Sequence, residues 1–189
     1  MDTFSQVLAE VTAALDKAGI RYAIGGSVAS GARGIWRNTH DVDILAAIRP
    51  VQIRAFADAL GKDWYADDDM MRSAILSGRS FNVIQIRLAW KVDIFPATEE
   101  FHMTQLERAS IIAVGAAKVP CSVTSTEDIL LAKLRWYRDG GHTSKNQWDD
   151  AINLIATNNQ LDSAYLQQWA ARLGVADLLE KAQADARLE

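Results

Sequence analysis

The sequence predicts an α+β protein in which helices and short strands alternate before a wholly helical region begins. Three observations support this prediction. Apolar residues near the start recur at helical spacing, several later segments alternate apolar and polar residues, and the pattern from Ser125 onward is helical throughout. We therefore predict two parts, a mixed α+β domain over residues 1–124 and a C-terminal helical region over residues 125–189.

The first half of the chain alternates helices with strands. An amphipathic helix over residues 4–19 ends at a glycine, and the apolar strand 22–24 leads from it into a glycine turn. A short helix is predicted over 27–33, followed by a strand over 41–46. Proline starts and glycine ends the next helix, over 50–61.

The second half completes the sheet and then becomes helical. Residues 81–86 and 88–95 are predicted as two strands that pair as a hairpin or lie adjacent in one sheet. Residues 111–123 form another apolar stretch with strand character. The acidic run 67–69 resembles a metal site, but consecutive helical residues point in different directions, so we interpret it as a helix cap. Ser125 or Thr126 is a plausible helix start.

Two aspartates lie on one apolar segment, Asp41-Val42-Asp43-Ile44. Alternate side chains of a strand point to opposite faces, so Asp41 and Asp43 share a face while Val42 and Ile44 point into the core. Taken alone, such a pair is also typical of a capped turn or a solvated strand end. Because aspartate avoids burial unless it is paired or bound to a metal, the apolar flanks favour a divalent cation as its partner.

A third aspartate, Asp93, lies between apolar residues on another predicted strand. Oxygen ligands select hard ions, and Mg²⁺ typically takes one or two carboxylates together with phosphates and water. Three carboxylates are enough to hold two ions about 3.5 to 4 Å apart. We therefore predict Asp41, Asp43 and Asp93 as catalytic metal ligands, with two Mg²⁺ ions as the cofactor and Mn²⁺ as the alternative.

A glycine turn precedes the acidic strand. Gly25 and Gly26 follow the apolar strand, and Ser27 opens the next helix. Glycines let backbone amides approach a phosphate closely, a serine hydroxyl can donate to it, and a helix N-terminus favours negative charge. Most such turns only change the chain direction, so this turn indicates a phosphate site only in combination with the acids.

These motifs together resemble the signature of the DNA polymerase beta-type nucleotidyltransferase superfamily. Gly25-Gly26-Ser27 is followed, thirteen residues later, by Asp41-Val42-Asp43 at the end of the run that starts at Arg37, and Val92-Asp93-Ile94 supplies the third acid. The chain is most similar to small bacterial members, which include the minimal nucleotidyltransferase and abortive-infection toxin–antitoxin groups. The resemblance covers roughly residues 20 to 95, with a weaker similarity from Ser125 to Asp150.

The resemblance implies a nucleotidyltransferase-like mixed β-sheet flanked by helices, and an activity. A nucleoside triphosphate would bind with its phosphates on the Gly25 to Ser27 turn, and an acceptor hydroxyl would attack the α-phosphorus and release pyrophosphate. Asp93 is the candidate for accepting or orienting the hydroxyl proton. Arg37 is expected at a phosphate oxygen, or else is an ordinary surface arginine. Lys133 is expected to reach the triphosphate, or else keeps its ammonium in water.

The resemblance leaves the acceptor and the partners open. The acceptor hydroxyl is expected on a protein, a small molecule such as an aminoglycoside, or an RNA end, and a toxin or antitoxin is a candidate partner. The alternative function is a catalytically silent nucleotide-binding or partner-binding module of a toxin–antitoxin-type system. A purely structural role in a complex is a third alternative, which predicts neither nucleotide nor metal binding.

Composition excludes several classes of protein. The chain has 189 residues, of which 49% are hydrophobic and 23% charged, as expected for a folded protein with a proper core. A formal charge of −4 argues against a broad basic surface for duplex nucleic acid. A single cysteine, Cys121, excludes an internal disulfide. No leader or long apolar run is evident, so we expect a cytoplasmic protein with no membrane partner.

Overall fold

A seven-stranded mixed sheet forms the centre of the computed structural model, which describes residues 1–34 and 41–187. Within these residues the strands are β1 (Tyr22–Ile24), β2 (Asp41–Ala46), β3 (Trp64–Tyr65), β4 (Phe81–Gln85), β5 (Trp90–Pro96), β6 (Ser110–Val114) and β7 (Val119–Val123). The helices are α1 (Thr3–Lys17), α2 (Gly26–Ala32), α3 (Ile53–Leu60), α4 (Asp68–Leu76), α5 (Glu100–Arg108), α6 (Thr126–Asp139), α7 (Lys145–Thr157), α8 (Ser163–Arg172) and α9 (Ala176–Asp185).

The strand order places the two acidic strands side by side. The order across the sheet is β3-β4-β5-β2-β1-β7-β6, with β2 parallel to β5 and β1 parallel to β7. The other neighbours, including the predicted β4–β5 hairpin, run antiparallel. Because β2 and β5 are far apart in sequence, only the tertiary fold brings them together, and it aligns Asp43 directly with Asp93.

The helix starts follow the capping rules that the sequence predicted. Asp67 caps α4, because its carboxylate accepts the Met70 backbone N–H at 2.7 Å, which confirms the interpretation of the acidic run as a cap. Ser125 caps α6 by accepting the Asp128 N–H at 3.2 Å. Helix α2 begins at Gly26 with Gly25 as its N-cap residue, one position earlier than predicted.

Apolar residues cover the two faces of the sheet unequally. Val42 and Ile44 are fully buried in the main core, which α1, α3 and the C-terminal helices help to form. The opposite face carries a small second cluster, in which Leu45 packs with Ala23 and Leu106 of α5. The aspartates of β2 alternate with the core residues and therefore point to this thinly covered face.

The division of the chain into two domains stays a prediction. The last strand ends at Val123 and α6 begins at Thr126, yet Ile129, Leu130 and Leu134 of α6 are buried in the main core cluster with residues of the sheet. The short strand β3 was not predicted, because Trp64 and Tyr65 are too few to produce an alternation pattern. In the part of the chain that the structure describes, no helix has the length and apolar character needed to cross a membrane.

Candidate active site

The three predicted acids lie on one face of two neighbouring strands. Asp41 and Asp43 are partly buried, and they alternate with the fully buried Val42 and Ile44. In the parallel β2–β5 ladder Asp43 is aligned with Asp93, and aligned residues of adjacent strands point to the same side of a sheet. The fold thus brings together the acidic residues that the sequence singled out separately.

The crowding of negative charge is visible in the pKa of Asp43. Burial, and then the carboxylates of Asp41 and Asp93, raise the pKa of Asp43 to about 6, while Lys133 and Lys91 oppose the increase. A carboxylate with such a pKa is costly to ionise in the folded protein, and a nearby cation would reduce that cost. The acidic face therefore favours cation binding.

The glycine turn, Gly25 to Ser27, is in direct contact with Asp43. The Gly25 N–H donates to the Asp43 backbone carbonyl at 2.8 Å. Gly26 has a φ of +56°, and a Cβ atom at this position would lie 1.8 Å from Asp43 Oδ2. Both the backbone conformation and the contact require glycine at position 26. The turn and the acidic strand are therefore one structural unit.

A cavity of about 180 Å³ brings most of the predicted site together. Its lining includes six of the eight predicted residues, namely Gly25, Gly26, Ser27, Asp41, Asp43 and Lys133. Asp93 is not part of this lining, and Arg37 lies outside the described residues. Helix α2 has only seven residues, so its macrodipole is small. The attraction that α2 offers to an anion therefore comes mainly from its backbone amides and the Ser27 hydroxyl.

Lys133 is buried, so the alternative with its ammonium in water is wrong, whereas the contact with a triphosphate stays a prediction. Its side chain is 4% exposed, so the ammonium does not extend into water, and its Nζ donates to Asp150 Oδ2 at 2.6 Å. Helices α6 and α7 pack against each other and bury both groups. Lys133 nevertheless lines the small cavity and acts on the charge of Asp43. The sequence did not identify Asp150 as its partner, although the adjacent acids 149 and 150 lay in the segment of weaker similarity.

A larger cavity of about 320 Å³ adjoins the first and shares Gly25, Gly26 and Asp43 with it. One wall is aromatic, where the rings of Phe95 and Trp136 lie 5.4 Å apart and Trp136 is 44% exposed. Such an exposed ring beside a cavity can stack on a flat ligand. The cavity therefore extends the site away from the acids.

The polar wall of the larger cavity was missed in the sequence. Glu99 accepts two hydrogen bonds from Arg135, at 2.6 and 3.0 Å, and these bonds lower the pKa of the Glu99 carboxyl. Burial lowers the pKa of His102, and the nearby Glu99 carboxylate opposes that shift. Glu99 precedes α5, His102 lies in α5 and Arg135 in α6, so no local pattern could have grouped them.

The acidic face only partly fits the predicted metal cluster. Asp41 and Asp43 supply oxygen ligands of the kind that Mg²⁺ prefers. Asp93, however, accepts a 2.6 Å hydrogen bond from Lys91 Nζ. Across residues 1–34 and 41–187, no group of three or more His, Cys, Asp or Glu side chains is arranged to hold a metal ion. A pair of ligands fits an ion that also needs phosphate and water, and the three-carboxylate site stays a prediction.

Comparison with known structures identifies the fold. The crystal structure of ANT(2'')-Ia in complex with adenylyl-2''-tobramycin aligns with a TM-score of 0.50 and 17% identity, over 98% of each chain. An antigenic nucleotidyltransferase-like protein from Paracoccidioides brasiliensis aligns with a TM-score of 0.51 and 19% identity, over 95% of this chain and 92% of that one. No protein-family model matches the sequence, and no curated protein matches it. The chain therefore has a nucleotidyltransferase fold, which confirms the predicted fold class and the resemblance at the level of fold.

Proposed function

We propose that this protein is a metal-dependent nucleotidyltransferase that moves a nucleoside monophosphate from a nucleoside triphosphate to a hydroxyl acceptor. One observation carries the proposal: Asp41 and Asp43, the Gly25 to Ser27 turn and Lys133 all line one small cavity. Carboxylates alone would repel a polyphosphate, whereas carboxylates beside amides, a hydroxyl and an ammonium suit a metal-bound one. The nucleotidyltransferase fold supports the same function.

The residues of the small cavity have complementary roles in binding. The turn at Gly25 and Gly26 allows the β- and γ-phosphates to approach the backbone, and the Ser27 hydroxyl donates to a phosphate oxygen. Lys133, oriented by Asp150, presents its ammonium to the same phosphates. Asp41 and Asp43 would hold Mg²⁺, which would neutralise phosphate charge and acidify the acceptor hydroxyl.

The chemical step needs little covalent participation by the protein. The acceptor oxygen forms a bond to the α-phosphorus, the bond from that phosphorus to the bridging oxygen breaks, and pyrophosphate leaves with the bonding electrons. Asp93 lies on the neighbouring strand and takes the hydroxyl proton or orients the hydroxyl for attack. Alignment and charge neutralisation then supply most of the rate enhancement.

The larger cavity favours a small-molecule acceptor over an RNA end or a protein. It has a volume of about 320 Å³, within the range of small-molecule sites, and combines an aromatic wall with the carboxylates of Glu99 and Asp139. The structural neighbour ANT(2'')-Ia was crystallised with adenylyl-2''-tobramycin, a nucleotide joined to a small molecule. Glu99 and Asp139 share one guanidinium, that of Arg135, so these three side chains keep a net negative charge. We infer a hydroxyl-bearing acceptor with at least one amine, because that net charge attracts an ammonium group.

A second candidate is a catalytically silent nucleotide-binding module, as in a toxin–antitoxin-type system. The contact between Lys91 and Asp93 favours it, since one oxygen of the third acid already has a cation as its partner. Both candidate functions predict nucleotide binding, but only the transferase predicts turnover.

Calorimetric titration with ATP, GTP, CTP and UTP in Mg²⁺ tests binding, and pyrophosphate release with amine-bearing polyols tests turnover. We expect at least one nucleotide to bind, with binding lost in Asp41→Asn and Asp43→Asn and in excess chelator. Asp58→Asn is the matched control, because it removes an exposed carboxylate that pairs with Arg54 of its own helix.

The outcomes separate the candidates. Binding with pyrophosphate release supports the transferase. Binding without release for any acceptor supports the silent module. Nucleotide binding that survives both substitutions and ignores the chelator would overturn the proposed site.

A further inference from the structure

Lys91 shares the acidic face with the three aspartates. In the β2–β5 ladder it is aligned with Asp41, and its Nζ donates to Asp93 Oδ2 at 2.6 Å. A lysine side chain is charged at neutral pH, so Lys91 adds one positive charge to this face.

The position of Lys91 changes what Asp93 can do. A carboxylate oxygen that accepts a short hydrogen bond from an ammonium is less available to a divalent ion, because both cations use the same lone pairs. Asp41 and Asp43 differ from Asp93 in that they line the small cavity with the glycine turn. Asp41 and Asp43 therefore line the small cavity, whereas Asp93 is paired with Lys91.

We propose that Lys91 takes the place of one of the two cations expected at this face, so that the site binds a single divalent ion through Asp41 and Asp43. Asp93, held by Lys91, is then reserved for the acceptor hydroxyl. The inference rests on the proposed function, and it departs from the two-ion site that the sequence predicts. Lys91 is a positioning residue in this scheme, since it acts through Asp93.

The charges of the face agree with one divalent ion. Three ionised carboxylates carry three negative charges, which one ammonium and one divalent ion balance before a nucleotide enters. A second divalent ion would leave an excess of two positive charges and would lie close to Lys91, where like charges repel. Without Lys91, a second ion would meet the same three carboxylates with no competitor.

Counting bound Mn²⁺ by electron paramagnetic resonance, with the metal alone and no nucleotide, tests the inference. We expect one Mn²⁺ per wild-type chain and two per Lys91→Met chain, a substitution that keeps most of the side-chain length and removes the charge. Lys62→Met is the matched control, because it removes one exposed positive charge outside the acidic face. It should bind one ion, with unchanged affinity.

Thermal unfolding with and without Mn²⁺ provides a second readout. The rise in Tm on adding Mn²⁺ should be larger in Lys91→Met than in the wild type, because two bound ions stabilise the folded state more than one. Because the Lys91 side chain is 46% exposed, the variant should fold in chelator with a Tm close to the wild-type value.

Two results would overturn the inference. One is two Mn²⁺ ions on the wild-type chain, and the other is an unchanged ion count and Tm response in Lys91→Met. If either occurs while nucleotide binding still depends on Asp41 and Asp43, only the role of Lys91 fails. A wild-type chain that binds neither metal nor nucleotide would instead reject the proposed function.

Discussion

Two lysine–aspartate pairs flank Asp43, and they have the same length in very different surroundings. Lys91–Asp93 and Lys133–Asp150 are both joined at 2.6 Å. The side chains of the first pair are 46% and 19% exposed, whereas those of the second are 4% and 8% exposed. Exposed pairs contribute little to stability, whereas breaking a buried pair leaves a desolvated charge. The distance between two charges therefore says little about the cost of separating them.

The difference assigns separate tasks to the two lysines. The buried pair fixes Lys133 at the wall of the small cavity, and in the proposed function its ammonium would already be oriented when a phosphate arrives. In the proposed scheme the exposed pair instead keeps one oxygen of the Asp93 carboxylate beside the Lys91 ammonium, on the strand next to Asp41 and Asp43. Four predictions test this contrast, from the largest expected effect to the smallest.

Breaking the buried pair should have the largest effect. We expect Lys133→Met to lower the free energy of unfolding by about 3 to 5 kcal/mol, because the Asp150 carboxylate stays buried without the ammonium. The double variant Lys133→Met/Asp150→Leu should recover most of that loss, since it removes both charges. Urea unfolding measures both values. Equal losses in the single and the double variant would show that packing, and not charge, controls this position.

Displacing the Asp43 carboxylate, which lies between the two lysine–aspartate pairs, should have the next largest effect. Gly26→Ala combines a positive φ with a methyl group placed on Asp43 Oδ2, so we expect a loss of about 2 to 4 kcal/mol and loss of nucleotide binding. Gly19→Ala is the matched control, because Gly19 has a φ of +64° and, beyond its chain neighbours, the described residues place no atom within 4 Å of the added Cβ. It should cost about 1 to 2 kcal/mol. Similar losses in both variants would show that the contact with Asp43 is unimportant.

Neutralising Asp43 should stabilise the metal-free protein. Its folded pKa of about 6 exceeds the ordinary aspartate value, so the folded state binds the proton more tightly than the unfolded state does. Stability due to this group therefore falls as the pH rises from about 4 to 6 and stays low above that range.

In chelator at pH 8, Asp43→Asn should therefore gain about 1 to 2 kcal/mol, with almost no gain at pH 4. Urea unfolding at the two pH values measures this difference. An equal gain at both would exclude charge repulsion as its cause. The same variant should lose metal and nucleotide binding, because the repulsion that destabilises the empty site is what attracts a cation.

Breaking the exposed pair should have the smallest effect on stability. Lys91→Met in chelator should change the free energy of unfolding by less than about 1 kcal/mol, and 1 M salt should reduce that change further. Urea unfolding at low and high salt measures both. A loss as large as that of Lys133→Met would remove the contrast between the two pairs.

The sequence predicted local features of the site because they depend on neighbours in the chain. The alternation of Asp41, Val42, Asp43 and Ile44 determined which side chains share a face, and the structure confirms it. A cap in the run 67–69 and a helix start at Ser125 or Thr126 were predicted for the same reason, since a capping side chain bonds to an amide three residues away. The resemblance predicted the fold class. Arg37 lies outside the described residues, so its role stays a prediction.

Only the tertiary structure decided which charges face each other. The partner of Lys133 lies 17 residues away on another helix, and the alignment of Asp43 with Asp93 depends on two strands that are distant in the chain. Periodicity gives the direction of a side chain relative to its own helix or strand, but it does not give the strand order or the helix packing. Burial follows from that packing, and burial determines how strongly each ion pair is held.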